Sequence, residues 1–380
     1  MIFVWPRFIS WLCFFICLPA CAGLPVSGNV GGQTITTRVD SEAARYYLAN
    51  YLAGIRSNAA LDERIDRIYQ GADGSMPDRS ELKRLSDEFS IDFAALYLAD
   101  WIARTPADRN FRDAFLQAQD YTRKAFRDGR VQLPAQATDY EVMFVPGYLY
   151  KRHPLTGADL AAPMAALRHV GLAHHFVETD EEGAIEANAT LVAQAIRARA
   201  YMKRRLIVVS VSKSGPEVAL ALTQLGPTVT GQVAAWINIV GMLQGTPLAD
   251  ESLAQELEDL IGSVDIAGIE SLTTERSRQR FETLRIPQHI LVLNYIGIPL
   301  TGSISSLART GFVDLRKYGP NDGLALLTDL IVPSGLTLAE LGRDHFLLDE
   351  QTDVTTVALA IAVIRRLGNR RPQISQGSEN

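Results

Sequence analysis

The sequence predicts an α/β fold, in which a mostly parallel sheet is flanked by helices and preceded by a helical extension. From residue 138 to 368, short runs of β-branched and apolar residues alternate with helical patterns of ten or more residues, which is typical of βαβ units. From 39 to 133 the pattern is helical throughout, and capping residues such as Ser41 and Asp78 mark the helix starts. The 380 residues suffice for one sheet domain and this extension.

The individual elements follow from the spacing of apolar residues. Strands are expected at 141–145, 172–178, 205–211, 233–240, 289–296 and 330–332. Helices are expected at 158–169, 182–201 and 354–367. The polar segment 369–380 is expected to be a loose tail.

The first 21 residues have the pattern of a secretory signal peptide. Arg7 precedes an apolar stretch over 8–18, and small residues end it. Two cleavage patterns fit. Residues 18–21 resemble a bacterial lipobox with Cys21 as the lipidated first residue, whereas 20–22 fit the small-x-small site of simple secretion.

The protein is therefore expected to be exported, either secreted or held in the cell envelope as a lipoprotein of the outer membrane or periplasm. In the second case the lipid on Cys21 would attach it to a membrane. Residues 22–38, rich in Gly, Ser and Thr, are expected to form a flexible tether, which favours the lipoprotein.

Composition narrows the classes of partner. The net charge is −6, and the sequence has no basic block, which argues against nucleic acid as a ligand. All three cysteines (Cys13, Cys17 and Cys21) lie in the leader, so no disulfide is expected in the exported domain.

Ser212 stands at an abrupt change of pattern. The β-branched run 205–211 gives way to small residues, and apolar residues at helical spacing follow from Val218. This pattern predicts a buried strand, a sharp turn and a helix, with Ser210 and Ser214 small enough for a strained turn around an exposed hydroxyl. Such a turn is the geometry of a nucleophile elbow.

A serine nucleophile needs a base to accept its proton and an acid to orient that base. In the α/β-hydrolase arrangement, which the predicted strand, turn and helix around Ser212 resemble, the three residues follow in the order serine, acid, histidine. Four of the six histidines precede Ser212, and His289 opens a predicted strand too early for an acid to come before it. His345 remains, in a loop before the last predicted helix.

Asp322 is the best candidate for the acid, because it lies in a turn-forming segment between the serine and His345. Asp314, Asp329 and Asp344 are alternatives. Asp344 adjoins the histidine and would have difficulty facing its ring, and Asp329 is expected to enter a strand.

Two backbone N–H groups are expected to stabilise the oxyanion of acyl transfer. Lys213, directly after the nucleophile, supplies the first, and the Tyr148 amide supplies the second from the turn 146–148. Gly147 allows the backbone to approach closely there. The charged end of Lys213 is expected to be solvated at the rim of the site.

These motifs resemble those of the α/β-hydrolase superfamily. The Val-Pro-Gly-Tyr string at 145–148 and the Ser-x-Ser-x-Ser-Gly string at 210–215 carry the resemblance. The Gly-Thr-x-x-Ala-Asp string at 245–250 and the Asn-Asp-Gly-Leu string at 321–324 are similar to segments of bacterial triacylglycerol lipases and related inositol-deacylase-like esterases. The resemblance implies an α/β-hydrolase fold over 138–368.

Two further segments are candidate parts of a substrate site. The insertion 249–284 places several apolar residues on one helical face, which suits either a mobile lid or an ordinary packed helix. These residues are Leu253, Leu257, Leu260 and Ile261. The apolar, serine-containing segment 298–312 is a candidate wall of an acyl pocket.

The sequence thus predicts a serine esterase that acts on a small-molecule or lipid ester and needs no metal or organic cofactor. Acyl transfer to an acceptor other than water is an alternative, because it shares the acyl-enzyme. A non-catalytic binding protein that retains the elbow is another. No protein partner can be inferred from the sequence.

Overall fold

The computed structural model describes residues 23–72, 74–250 and 266–370. Its strands, in chain order, are β1 Leu24–Val30, β2 Gln33–Val39, β3 Tyr140–Val145, β4 His174–Phe176, β5 Arg205–Val211, β6 Val233–Ile239, β7 Leu291–Ile298 and β8 Leu336–Leu341. Strands β3 to β8 form one sheet in the order β4-β3-β5-β6-β7-β8, and all its neighbouring strands are parallel. The predicted fold class is confirmed.

The helices surround this sheet. They are α1 Glu42–Tyr46, α2 Ala59–Gly71, α3 Arg79–Glu88, α4 Ile91–Arg104, α5 Pro106–Arg127, α6 Ala161–His169, α7 Ile185–Arg199, α8 Ser214–Gln224, α9 Pro227–Thr230, α10 Pro247–Asp250, α11 Ala267–Glu270, α12 Thr274–Thr283, α13 Arg309–Leu315 and α14 Thr352–Arg370. A π-helical turn at Tyr47–Tyr51 continues α1. Since α14 runs through Arg370, the start of the predicted loose tail is helical, and 371–380 lie outside the described residues.

Both faces of the sheet are covered, as a parallel sheet requires. Side chains alternate between the faces along each strand. On one face, residues such as Val209 and Ile237 pack with α6 and α14. On the other, residues such as Val208 and Trp236 pack with α7 and α8.

Residues 24–38, within the segment expected to be a flexible tether, form part of a hairpin instead. Strands β1 and β2 pair antiparallel in register from Leu24–Val39 to Val30–Gln33. Gly31 and Gly32 form the two-residue loop with φ of 56° and 88°, which suits a type I′ turn. Burial of valines on one face then fixes the hairpin against the helical extension.

The helical extension contributes to the same core as the sheet. Helix α4 is buried on nearly every side, as predicted, and it shares one apolar cluster with Ile296 and Ile298 of β7. Phe111 and Phe115 of α5 belong to the cluster that contains the buried face of α14. The extension therefore completes the packing of the sheet.

The prediction of a strand at 330–332 is wrong, and the last strand is β8. Residues Leu327–Leu330 form a 3-10 turn. Amide side chains of the sheet bind the backbone that follows: Asn294 accepts from the Val332 N–H at 3.0 Å, and Asn238 donates to the Leu330 carbonyl at 2.9 Å. These side chains pair with backbone groups of the apolar run, which therefore needs no hydrogen bonds to a neighbouring strand.

Asp108, in the first turn of α5, accepts a hydrogen bond from the Thr337 N–H of β8 at 2.9 Å. Burial raises the pKa of Asp108 to about 6, and this hydrogen bond opposes the shift. A folded-state pKa above the unfolded value means that ionisation costs stability, so the cost is absent below pH ~4 and complete above pH ~6.

We therefore expect Asp108→Asn to gain stability relative to wild type as pH rises from 4 to 8, by about 1–2 kcal/mol, because asparagine keeps the acceptor without the charge. Urea unfolding at a series of pH values measures this. Asp113→Asn, on the exposed side of the same helix, is the control and should show no such trend. A constant difference across the pH range for Asp108→Asn would contradict the assignment.

None of the helices that the structure describes combines the length and the apolar content that a membrane span requires.

Candidate active site

The turn after β5 has the geometry of a nucleophile elbow. Strand β5 ends at Val211, α8 begins at Ser214, and Ser212 between them has φ of 56°. A non-glycine residue in this left-handed region is strained, and such strain is common at functional turns. The Ser212 side chain is held at the carboxyl end of the central strands, partly exposed.

Hydrogen bonds of two neighbouring serines stabilise the turn. The Ser214 hydroxyl accepts from the Val211 N–H at 2.8 Å and lies 2.9 Å from the Val145 carbonyl, to which it donates. The Ser210 hydroxyl accepts from the indole N–H of Trp236 at 2.8 Å. These small side chains therefore tie the elbow to the strands on either side of β5.

Ser212, His345 and Asp322 form a continuous chain of hydrogen bonds. His345 Nε2 lies 2.9 Å from Ser212 Oγ, and its Nδ1 lies 2.6 Å from Asp322 Oδ2. Asp322 is fully buried and His345 nearly so. The structure brings together the three side chains that the sequence analysis selected, in the arrangement of nucleophile, base and orienting acid.

The loop around Asp322 fixes its carboxylate. Oδ1 accepts from the backbone N–H groups of Leu324 and Ala325 at 2.9 and 2.8 Å, which leaves Oδ2 to face the imidazole. The His345 N–H also donates to the Asp322 carbonyl at 2.8 Å. The loops of Asp322 and His345 are thus joined by a backbone hydrogen bond and by a side-chain hydrogen bond.

The alternative acids lie elsewhere. Asp344 accepts hydrogen bonds from the Ser305 and Phe346 N–H groups, so it joins its own loop to the segment at Ser305. Asp329 lies in a 3-10 turn, not in a strand, at 3.7 Å from the guanidinium of Arg79. Burial raises the pKa of Asp329 to about 7. Asp314 is exposed on α13.

The loop after β3 lies beside the nucleophile. A β-carbon at Gly147 would lie 3.2 Å from the Val211 carbonyl oxygen, so glycine permits this approach. The Gly147 N–H donates to the Ala158 carbonyl and the Leu149 N–H to the Glu181 carbonyl, which fixes both sides of Tyr148. Tyr148 lines the same cavity as Ser212 and His345.

Lys213 departs from the expectation of a solvated rim group. It is 2% exposed, and its Nζ donates to Glu217 Oε1, one turn further along α8, at 2.5 Å. Asn188 of α7 donates to the same oxygen at 2.9 Å. Burial raises the pKa of Glu217, and the Lys213 charge opposes this shift. The ion pair forms because Lys213 and Glu217 are four positions apart at the start of a helix whose first turn is buried.

Lys213→Ala should lower the free energy of unfolding by roughly 3–5 kcal/mol, because it leaves Glu217 buried without its counter-ion. Denaturant unfolding at neutral pH gives the value. Lys151→Ala is a matched control, since Lys151 pairs with Glu178 in an exposed ion pair at 2.7 Å. That control should cost less than about 1 kcal/mol. Equal losses in the two variants would refute a structural role for the buried pair.

A large apolar cavity opens at Ser212 and His345, which are two of its lining residues. Its volume is about 640 Å³. The rest of the lining comes mainly from one face of the sheet, from α6 and α14, and from loop residues within 148–160 and 346–349. The segment 298–312, expected to shape an acyl pocket, contributes none of the described lining residues.

Two features of this site are not among the predictions from the sequence. Met242 contacts the nucleophile, with its sulfur 3.5 Å from Ser212 Oγ, and no local pattern indicated this. The Lys213–Glu217 pair had a visible signal in its spacing. Residues 251–265 and 1–22 lie outside the described residues, and they include Cys21 and the apolar face expected to belong to either a lid or a packed helix.

Comparisons with known proteins give structural neighbours only. No protein-family model and no curated protein matches the chain. The metagenomic carboxyl esterase MGS0156 has a similar structure with a TM-score of 0.52, 19% identity and coverage of 63% of this chain and 78% of that one. The mature lipase BlEst2 from Bacillus licheniformis gives a TM-score of 0.47, 23% identity and coverage of 57% and 88%. Together with the sheet order and the elbow, the first of these neighbours shows that the chain has the α/β-hydrolase fold.

Proposed function

We propose that the protein hydrolyses carboxylic esters, with Ser212 as nucleophile, His345 as general base and acid, and Asp322 as the group that orients the imidazole. The observation that carries the proposal is the hydrogen-bond chain from Asp322 through His345 to Ser212 at an apolar cavity. The name of the neighbouring metagenomic carboxyl esterase is consistent with it.

In the first half-reaction Ser212 Oγ attacks the ester carbonyl carbon while its proton passes to His345 Nε2. The carbonyl oxygen becomes an oxyanion, which the N–H groups of Lys213 and Tyr148 would stabilise. Return of the proton from Nε2 to the alkoxy oxygen releases the alcohol and leaves an acyl group on Ser212. Asp322 stabilises the imidazolium that forms in between.

Water then replaces the alcohol. His345 Nε2 takes a proton from the water as its oxygen attacks the acyl carbon, and the second tetrahedral intermediate collapses when that proton returns to Ser212 Oγ. The products are one carboxylic acid and one alcohol, and the enzyme returns to its starting state. The buried position of Asp322 keeps the same imidazole orientation for both steps.

Hydrolysis of 4-nitrophenyl butyrate by the purified protein tests the activity. We expect turnover of the butyrate ester well above the background rate. We expect no hydrolysis of 4-nitrophenyl phosphate, because a serine–histidine–aspartate site stabilises the single oxyanion of acyl transfer and not the two negative charges of a phosphate monoester. Folded protein that leaves the butyrate ester and its longer-chain 4-nitrophenyl analogues at their background rates would overturn the proposal.

We also propose export through residues 1–21, with a lipid on Cys21. Because β1 already begins at Leu24, a lipid there would place the hairpin close to the membrane surface. Mass analysis of the mature amino terminus tests this: a diacylglyceryl adduct on Cys21 supports it, and an unmodified terminus contradicts it.

A further inference from the structure

We propose that the acyl part of the substrate is a linear chain of about a dozen carbons, and that it lies beneath the sheet, between β3, β5 and β6 on one side and α6 and α14 on the other. This inference rests on the proposed ester hydrolysis and specifies its substrate class. The alcohol part would remain outside the cavity.

The lining residues show the direction of the cavity. Along β5, Val211, Val209 and Ile207 line it in succession away from Ser212. In the paired strands, Phe144 lies level with Val209 and Val142 level with Ile207. All five side chains are therefore on one face of the sheet, in rows that lead away from the nucleophile.

The depth follows from the strand geometry. Ile207 precedes Ser212 by five positions, which is about 16 Å at a strand rise of ~3.3 Å per residue. An extended hydrocarbon advances ~1.3 Å per carbon, given a C–C bond of ~1.5 Å. The cavity thus matches a chain of about twelve carbons.

The opposite wall is somewhat shorter. Helix α14 contributes residues from Thr352, near the His345 loop, to Ala360, which is eight positions or about 12 Å further along the helix. Small side chains at Ala360 and at Ala161 of α6 leave space between helix and sheet.

The polarity of the lining residues also changes along the cavity. The lining residues furthest from Ser212 along β5 and from the His345 loop along α14 are Ile207, Leu359 and Ala360, all of them apolar, whereas polar lining residues such as His345 and Thr352 lie at the near end. A carbonyl at Ser212 followed by a purely apolar tail fits this gradient. A charged or branched polar acid would leave unpaired polar groups in the lower part.

The test compares 4-nitrophenyl esters of four, eight and twelve carbons. Each methylene that enters an apolar cavity is worth up to roughly threefold in binding. We expect kcat/KM of wild type to rise at least tenfold from butyrate to dodecanoate.

Ala360→Leu fills the far part of the cavity and should lower kcat/KM for dodecanoate at least tenfold, with butyrate changed less than threefold. Arg365→Leu places the same side chain on an exposed position of α14 and is the matched control, with a wild-type profile expected. If Ala360→Leu does not fold, Ile207→Phe narrows the same level from the sheet side.

The outcomes separate the two proposals. Butyrate hydrolysis with a flat or falling length profile, unchanged in Ala360→Leu, would overturn the acyl cavity and leave the hydrolase intact. Loss of dodecanoate turnover alone in Ala360→Leu supports the cavity. Absence of hydrolysis for every ester, together with no adduct on Ser212 after treatment with a fluorophosphonate, would overturn both proposals.

Discussion

Ser212→Ala should lower kcat/KM for 4-nitrophenyl butyrate by about 10⁶-fold, the magnitude typical of losing a serine nucleophile. The change removes the oxygen that faces His345 Nε2 and keeps the β-carbon in the same strained turn. We therefore expect the free energy of unfolding to change by less than about 1 kcal/mol. Steady-state kinetics and urea unfolding of the same preparation measure the two effects.

Ser214→Ala is the control for this prediction, because it removes a hydroxyl from the same turn. Its hydroxyl bonds to the Val211 N–H and the Val145 carbonyl, so its loss should cost about 1–3 kcal/mol of stability. The variant should still turn over the ester. Retention of activity by Ser212→Ala together with loss in Ser214→Ala would contradict the assignment of the nucleophile.

Asp322→Asn should lower kcat by about 10³- to 10⁴-fold, as in other serine hydrolases that lose the orienting carboxylate. The asparagine oxygen can still accept from Leu324 and Ala325, so the loop keeps its shape. Its NH₂ group would then face His345 Nδ1 and place the imidazole proton on Nε2. In that tautomer the ring has no lone pair toward Ser212.

Asp344→Asn provides the comparison for the acid, since Asp344 is the carboxylate next to His345 in sequence and bonds only to backbone N–H groups of nearby loops in the contacts described. We expect its kcat to stay within tenfold of wild type. The reverse ranking of the two variants would show that Asp322 is not the orienting acid.

The sequence predicts the candidate site well because its residues obey local and ordinal rules. A β-branched strand followed by small residues identifies the turn at Ser212, and the chain order leaves His345 and favours Asp322. These rules need no knowledge of tertiary packing. They cannot give the contact with Met242, which arises only when the loop after β6 folds back on the elbow.

The errors in the fold also have physical causes. The hairpin at 24–39 is not evident from its composition, although two adjacent glycines between the β-branched residues of 26–30 and 34–39 are a signal for a tight turn. The run at 330–332 has the apolar composition of a strand. It is not one, because the side chains of Asn238 and Asn294, which are distant in sequence, bind its backbone. The buried ion pair of Lys213 depends on α7 covering the start of α8.

Labelling with a fluorophosphonate tests the central claim most directly, because the reagent phosphonylates a serine only where a base activates it. Intact-mass and peptide analysis of the folded wild-type protein should show a single adduct, located on Ser212, and Ser212→Ala should show none. Wild-type protein that stays unmodified, or an adduct that persists in Ser212→Ala, would contradict the account.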